Sequence, residues 1–432
     1  MADAAVSNRN SVTVDEVVTT VIMARVTDFF GFFVYAIASA LVFPTLFFPN
    51  FDPVTGTLIS FAIFSLAFLA RPLGSALGNM IQARGGQVVR VIVALMILGT
   101  STMAIGLLPG YDSIGWLAAL LLAGLRILQG IGLGASWDGI TLRLQNASPE
   151  GRKGLYGMVP QLGGPIGFVV AASLFFVLVG FLTDEEFMTF GWRFAFFGVL
   201  AVNVVSLFAR VRLIAADFGA EEMSTKPAPL IPLLKEQWEP VLISTFMPLA
   251  SYALFHMVTV FPIAYALLYT DYDINYIIML QLLGGSLAVI STIISGALSD
   301  MYGRARTLGV ITMMIPVLCL TIPFLSVAPG IYIVFGFILM GLAHAQSCAI
   351  APARFLPKYR FSGASLSTNL SWIFGAAFAP LVGLALTAAF GLWASAFYLL
   401  SAAFITGWVL RRRYGAEVLS LRRMSKYPLQ GG

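Results

Sequence analysis

Charge is scarce in this sequence. Asp, Glu, Lys and Arg make up 10% of its 432 residues, against about 25% in an average globular protein. Hydrophobic residues make up 59%, Phe alone contributes 35, and mean hydropathy is +0.90. So little charge cannot cover so much apolar side chain in water, which excludes a soluble globule. Cysteine is nearly absent. Cys319 and Cys348 both lie in apolar runs, which excludes a disulfide framework and zinc-ligand spacing. Histidine is as rare, with His256 and His344 alone, and no His/Glu/Cys cluster has metal spacing. There is no Walker loop, so ATP is not the energy source. Gly130-Ile131-Gly132-Leu133-Gly134-Ala135 matches a dinucleotide fingerprint but follows a helical pattern, not a strand, so it offers no phosphate-cradling turn. Gly134-Ala135-Ser136 opens like a nucleophile elbow but has no closing glycine at 138 and no strand before it. The sequence thus points to no enzyme, no catalytic set, no metal and no cofactor. Period-two alternation is also missing, which argues against a membrane β-barrel.

What is present is a series of long apolar runs. At roughly 20 residues per crossing, the chain accommodates twelve: 18–47, 56–80, 88–109, 114–142, 154–182, 192–212, 241–268, 275–299, 307–327, 330–352, 362–389 and 391–411. Turn signals separate them, such as Pro109-Gly110 and Pro329-Gly330. The first seventeen residues are polar, include Asp15 and Glu16, and lack the cationic start of a cleavable signal. Net charge is +5 and pI about 9.2. In a soluble protein that balance points to nucleic acid, but these cations sort by side instead. Arg84, Arg90, Arg143, Arg152, Lys153, Arg210, Arg212, Arg304, Arg306, Arg354, Lys358 and Arg360 fall on one side, with the basic tail after Arg411. The other side carries Asp52, Asp112, Asp184, Glu185, Glu186, Asp271 and Asp273, and only Arg193 among cations. This positive-inside pattern places both termini in the cytoplasm. The expected organisation is a tail over 1–17, a six-helix bundle over 18–212, a Pro- and charge-rich linker over 213–240, a second bundle over 241–411, and a tail over 412–432.

The two bundles repeat weakly. Gly78 and Gly296, Gly124-Leu125-Arg126 and Gly341-Leu342-Ala343, and Pro165 and Pro380 correspond at offsets of 218, 217 and 215. Parallel six-helix repeats are a transporter architecture, with substrate at the midplane between them.

Several segments, in order, carry a more specific likeness. They are Leu41-Val42-Phe43 with Leu46-Phe47-Phe48-Pro49, Phe68-Leu69-Ala70-Arg71-Pro72-Leu73-Gly74, and Arg126-Ile127-Leu128-Gln129-Gly130. Gln161-Leu162-Gly163 with Pro165 and Gly167 follows, then Gly191-Trp192-Arg193. The second half adds Gly296-Ala297-Leu298-Ser299-Asp300-Met301-Tyr302-Gly303-Arg304, then Arg360 with Gly363-Ala364-Ser365-Leu366. In these the chain resembles the major facilitator superfamily, and within it the metabolite:proton symporters. The resemblance implies an all-α polytopic fold of twelve transmembrane helices in two pseudo-symmetric bundles. It also implies proton-driven uptake of small organic acids or zwitterions. Departures are visible. After Asp28-Phe29-Phe30 the family's second acid is Gly31, and the span-four Glu before Trp is Ser136, with Asp138 just beyond Trp137. The first-half loop acid is Gln82, and an acid before span eleven is Arg354.

Charge in a bilayer core is costly, about 2.5–3.5 kcal/mol on insertion scales, so each intramembrane polar group needs a reason. Arg126 lies near the midplane of span four and reads as a clamp for a substrate carboxylate, or as a structural partner of a buried acid or of helix carbonyls. Gln129, Gln161, His256, Gln281, Gln346, Asn369 and Trp372 read as substrate-binding groups or as bridges between helices. Asp28, Asp138, His256 and His344 are candidates for carrying a proton, and Arg25 and Arg143 are candidate local partners of the two acids. Arg71 reads as a packing or gating cation. Gly296, Asp300, Gly303 and Arg304 form an inner-loop cluster, and the loss of its mirror acid at Gln82 implies asymmetric gating. Pro165 and Pro380 are expected to bend spans five and eleven.

The resulting expectation is a monomeric secondary transporter in a bacterial cytoplasmic membrane. Its substrate is a small carboxylate or zwitterion, its driver protons, and its partners include lipid but no nucleic acid. Anion exchange or facilitation without proton coupling is the nearest alternative. A non-transporting sensor or assembly protein is the other.

Overall fold

The computed structural model describes residues 14–136, 144, 148–215, 227–347 and 354–426. Trp137, Asp138, Arg143 and Cys348 lie outside the described residues. All the regular structure described is helical. Helix α1 is Val14–Leu41; α2 and α3 share Pro53–Leu107, which breaks at Gly86. Then come α4 (Leu117–Ala135), α5 (Lys153–Phe181), α6 (Arg193–Ala215), α7 (Leu230–Tyr269) and α8 (Ile274–Tyr302). The chain ends with α9 (Arg304–Cys319), α10 (Pro329–Ser347), α11 (Pro357–Phe390) and α12 (Ala396–Lys426).

Nine of the helices described are long and apolar enough to cross a membrane, ten when the bent pair around Trp192 is included. At 55 residues, Pro53–Leu107 is more than twice the roughly 20 residues that one crossing needs. Gly86 divides it by taking φ 83°, a left-handed conformation that glycine adopts without steric cost. Arg304–Cys319 is prolonged by the tight turn Ile322–Ser326. Twelve crossings follow.

The acids that mark the outer side in the sequence start helices. Asp52 accepts from the Thr55 amide ahead of Pro53, and Asp273 accepts from that of Asn275. Thr183 and Glu186 form a reciprocal capping box. Each satisfies amides that a helix start leaves open. Two pairs of glycines, Gly130/Gly134 and Gly163/Gly167, act by absence of a side chain. A Cβ on Gly130 or Gly134 would strike the carbonyls of Ala67 or Arg71, so α4 lies backbone to backbone against α2. Gly163 and Gly167 fit against Arg25 and Phe29 of α1 in the same way.

Crossings one to six meet crossings seven to twelve along a seam closed near one face. We call the face carrying Val14 and the end of α12 the inner face. There the Asp300 carboxylate accepts from the amides of Gly154 and Leu155 at the start of α5. Arg304 donates to the Lys153 carbonyl. Asn369 Nδ2 donates to Ser75 Oγ (2.9 Å) and Gln161 Nε2 to Ser347 Oγ (3.3 Å). Further out, Ser65 Oγ donates to the Ala377 carbonyl (2.7 Å), and Phe33 stacks on Phe255. Gly303 ends α8 at φ 84°, the counterpart of Gly86. The two inner loops are otherwise unlike. Gln82 accepts from Arg90 of its own half (2.8 Å), whereas Asp300 reaches across the seam.

The two prolines lie just after irregular helix. Pro165 follows the tight turn Val159–Leu162, and Pro380 follows a widened turn, Trp372–Ala377. A proline leaves one carbonyl of the ladder without its donor, and the helix adjusts around it.

Candidate functional site

At mid-depth the seam is filled by rings. Phe29, Phe32 and Phe33 of α1 meet Phe64 and Phe68 of α2, Phe255 and His256 of α7, and Trp372 of α11. Below this layer, toward the inner face, is a cavity of about 60 Å3, the size of a few waters. Arg25, Asp28, Arg71, Gln161, Tyr252, His344 and Trp372 are among its walls.

Arg126 is within the layer, 1% exposed. Its Nε donates to the Phe64 carbonyl (3.1 Å) and its Nη1 to Gln129 Oε1 (3.0 Å). Gln129 Nε2 in turn donates to Thr102 (2.7 Å). Gln129 therefore orients the guanidinium rather than facing the cavity. The plane of charge is held against Tyr35 (3.8 Å to the ring centre), Phe64 (4.8 Å) and Phe32 (5.6 Å). Aromatic faces stabilise a desolvated cation by up to about 2 kcal/mol, but they do not neutralise it. No carboxylate pairs with Arg126 among the described residues. Its Nη2 has no hydrogen-bond partner. Two more buried polar atoms without partners lie against the same rings, Tyr35 Oη and His256 Nε2. The other ring nitrogen of His256 is 3.4 Å from Thr259 Oγ1.

The cavity below has its own polar groups. His344 has no hydrogen-bond partner on either ring nitrogen. Its ring packs against Phe255 (4.8 Å) and edge-on to Phe29 and Tyr252. The Arg71 guanidinium lies 5.4 Å from the centre of the Trp372 ring, and its Nε is unpartnered. Asp28 is paired by contrast. Arg210 Nη2 is 2.7 Å from its Oδ1 and Arg25 Nη1 is 3.7 Å from Oδ2.

The sequence-marked residues therefore sort into three groups. Arg126, His256, His344, Arg71, Gln161, Asp28 and Trp372 gather around the ring layer and the cavity. Gln281 (to the Thr259 carbonyl, 2.8 Å), Gln346 (to Ser295) and Asn369 (to Ser75) bridge helices. Asp300 and Arg304 lie at the inner seam, with Gly296 packed on Met158. Arg210 was legible only as an inner-side cation, yet it is 1% exposed and bonded to Asp28. Tyr35, Phe32, Phe64 and Tyr252 carried no signal in the sequence, because aromatic residues in an apolar span read as lipid-facing.

Residues 29–366 match the family described as Major Facilitator Superfamily. The chain belongs to the major facilitator superfamily. It is 35% identical to the inner membrane metabolite transport protein YhjE of Escherichia coli, covering 93% of each chain. It is 29% identical to the shikimate transporter of Escherichia coli, over 88% of this chain and 90% of that one. In fold it is similar to the crystal structure of a D-xylose-proton symporter, with a TM-score of 0.68, 14% identity, and 91% and 97% of the two chains covered. The superfamily member is a multi-pass secondary transporter of a small molecule, not an enzyme.

Proposed function

We propose that the transported molecule is a small carboxylate, as a free anion or in a zwitterion, and that Arg126 anchors its charge. One observation carries this reading: a buried, permanently charged guanidinium with an open Nη2 and no carboxylate partner among the described residues. A guanidinium offers a planar fork that fits a carboxylate. Tyr35 Oη and His256 Nε2 supply two further hydrogen-bonding atoms, and Phe32 and Phe64 supply walls. Arg71, His344 and Gln161 line the approach through the cavity. The relative named as a shikimate transporter supports an organic-acid substrate.

The units 18–212 and 241–411 rock about the ring layer, opening the seam to one face and then the other. Asp300, held on the start of α5, favours the state closed at the inner face. Protons drive the cycle through Asp28 and the two histidines, with Asp138 a further candidate. In the structure Asp28 is paired with Arg210, which ties α1 to α6. The protein acts as a monomer in a bacterial cytoplasmic membrane, with both termini in the cytoplasm.

Uptake into proteoliposomes tests this reading. A panel of monocarboxylates, dicarboxylates, amino acids, betaines and sugars is offered with and without an inward proton gradient. Carboxylate uptake that the gradient accelerates supports both parts. Carboxylate uptake indifferent to the gradient removes proton coupling and leaves exchange or facilitation. Uptake confined to sugars removes the anchor.

A further inference from the structure

Residues 227–239 connect the two units, and their composition is that of a linker rich in proline and charge. In the structure residues 230–239 form a helix with two working faces. Residues 230–236 open α7 and are set off from the rest of it at Gln237, where the backbone leaves helical geometry (φ −131°, ψ 29°). One face is docked on the inner end of α11. Leu233 is fully buried with Phe355 and Tyr359. Lys358 Nζ donates to Glu236 (2.8 Å), and the Leu356 amide donates to Gln237 Oε1 (3.2 Å). The Ala228 amide donates to Ser362 Oγ (2.8 Å).

The other face is apolar and open. Leu230, Ile231 and Leu234 are 51%, 69% and 42% exposed, and Trp238 follows at 59%. At 100° per residue the first three share one arc of about 100°, while Leu233 and Glu236 point away from it. Lys235 borders the arc and is also exposed. The apolar surface continues past Trp238 onto Leu242, exposed on the flank of the membrane-crossing part of α7. A tryptophan at the edge of a crossing belongs at headgroup depth. A lysine beside an apolar arc extends its ammonium toward anionic headgroups.

We propose that residues 229–238 are an in-plane anchor, sunk in the headgroup–acyl boundary of the inner-face leaflet, that holds the inner end of α11 to the bilayer. The occupant of the apolar face is lipid, and the polar contacts of the opposite face transmit its hold. The held element matters because α11 carries Asn369, which closes on Ser75, and Trp372, which walls the cavity. The bilayer interface thereby restrains opening of the inner seam. This inference does not depend on the nature of the substrate.

The test uses the full chain, with both cysteines replaced by serine, in vesicles of phosphatidylethanolamine and phosphatidylglycerol. Spin labels are placed by Ile231→Cys, Leu234→Cys and, as a control on the exposed polar side, Glu239→Cys. Labels at 231 and 234 are expected to collide more with dissolved oxygen than with a water-soluble nickel chelate, and the label at 239 to do the reverse. Labels at 231 and 234 that match 239 place the face in water and overturn the anchor. Labels shielded from both reagents place it against protein, such as a second copy, and overturn it too. For the tether, amide exchange over 354–359 is compared in wild type and in Ile231→Ser/Leu234→Ser. A several-fold rise is expected, and unchanged exchange overturns the restraint on α11.

Discussion

Two arginines of the first six crossings are equally buried and differently employed. Arg210 and Arg126 are each 1% exposed. Arg210 donates to the Asp28 carboxylate at 2.7 Å and to the Ala24 carbonyl. Arg126 has a backbone carbonyl, a neutral amide and three aromatic faces, but no anion among the described residues. A cation taken out of water needs a counter-charge or a strong substitute for one. Arg210 has its counter-charge inside the protein. Arg126 is fixed by Gln129 and the rings, and on the proposed reading its counter-charge is the substrate's. On that reading the difference separates a group that maintains the fold from a group that serves the cargo.

The comparison breaks most visibly at Arg210. Replacing it by methionine removes the near partner of buried Asp28 and leaves Arg25 at 3.7 Å. Removing one partner of a buried pair costs about 3–5 kcal/mol, which chemical denaturation in detergent reads directly. Adding Asp28→Leu to Arg210→Met is expected to restore most of that loss. If the single and double variants are equally destabilised, the pair is not what holds α1 to α6.

A smaller effect, of another kind, is expected at Arg126. Alanine there is expected to leave the fold standing, because no buried acid among the described residues is stranded. It removes a charge-assisted contact of about 1.5–3 kcal/mol, a 10- to 100-fold rise in the apparent Kd of a carboxylate. Isothermal calorimetry distinguishes this from the global loss expected at position 210.

Asp300→Asn sharpens the comparison at the seam. The carboxylate bonded to the amides of Gly154 and Leu155 becomes a neutral amide, weakening the latch by about 1 kcal/mol. A thiol introduced by Thr368→Cys, on the cavity wall, is expected to react faster with a water-soluble maleimide in this variant. Gln82→Asn at the mirror position, whose contact stays within its own half, is expected to change that rate much less.

The least effect belongs to the exposed pair beneath α11. The Lys358 hydrogen bond, then that of Tyr359, holds the Glu236 carboxyl below its usual 4.5. The same Glu236 contact raises Lys358 above its usual 10.5. The depressed acid contributes above 4.5 and is lost as pH falls through its lowered value. The raised base contributes below 10.5 and is lost as pH rises through its own. Amide exchange over 354–359 is therefore expected to show no contribution from this pair's titration between those limits. Because both groups are exposed and screened, the effect outside them is slight.

Much of this was legible from the chain alone, for physical reasons. Lipid demands long apolar runs, so the crossings and their order are written in composition. Arg126 stood out because a midplane charge is expensive. The partners of these groups were not legible. Arg210 lies near the end of a span, where a cation ordinarily reaches for water, so nothing local marks it as buried on Asp28. Gln346 and Asn369 have the same composition signal as a substrate ligand, and only the packing shows that they bridge to Ser295 and Ser75. The ring layer joins α1, α2, α7 and α11, which are far apart in sequence, and periodicity carries no such long-range information. The seven residues before Gln237 are too short for an amphipathic pattern to stand out from a charged linker.

The most direct test of the open guanidinium is ligand-induced thermal stabilisation of the purified protein in detergent. Wild type, Arg126→Ala and Arg126→Lys are each run against the same panel of carboxylates, zwitterions and sugars. A ligand that binds the folded state raises the melting temperature by mass action. The expected result is a carboxylate that stabilises wild type, fails on the alanine variant, and acts weakly on lysine, which keeps the charge without the fork. A carboxylate that stabilises all three alike would contradict the assignment of Arg126 as the anchor.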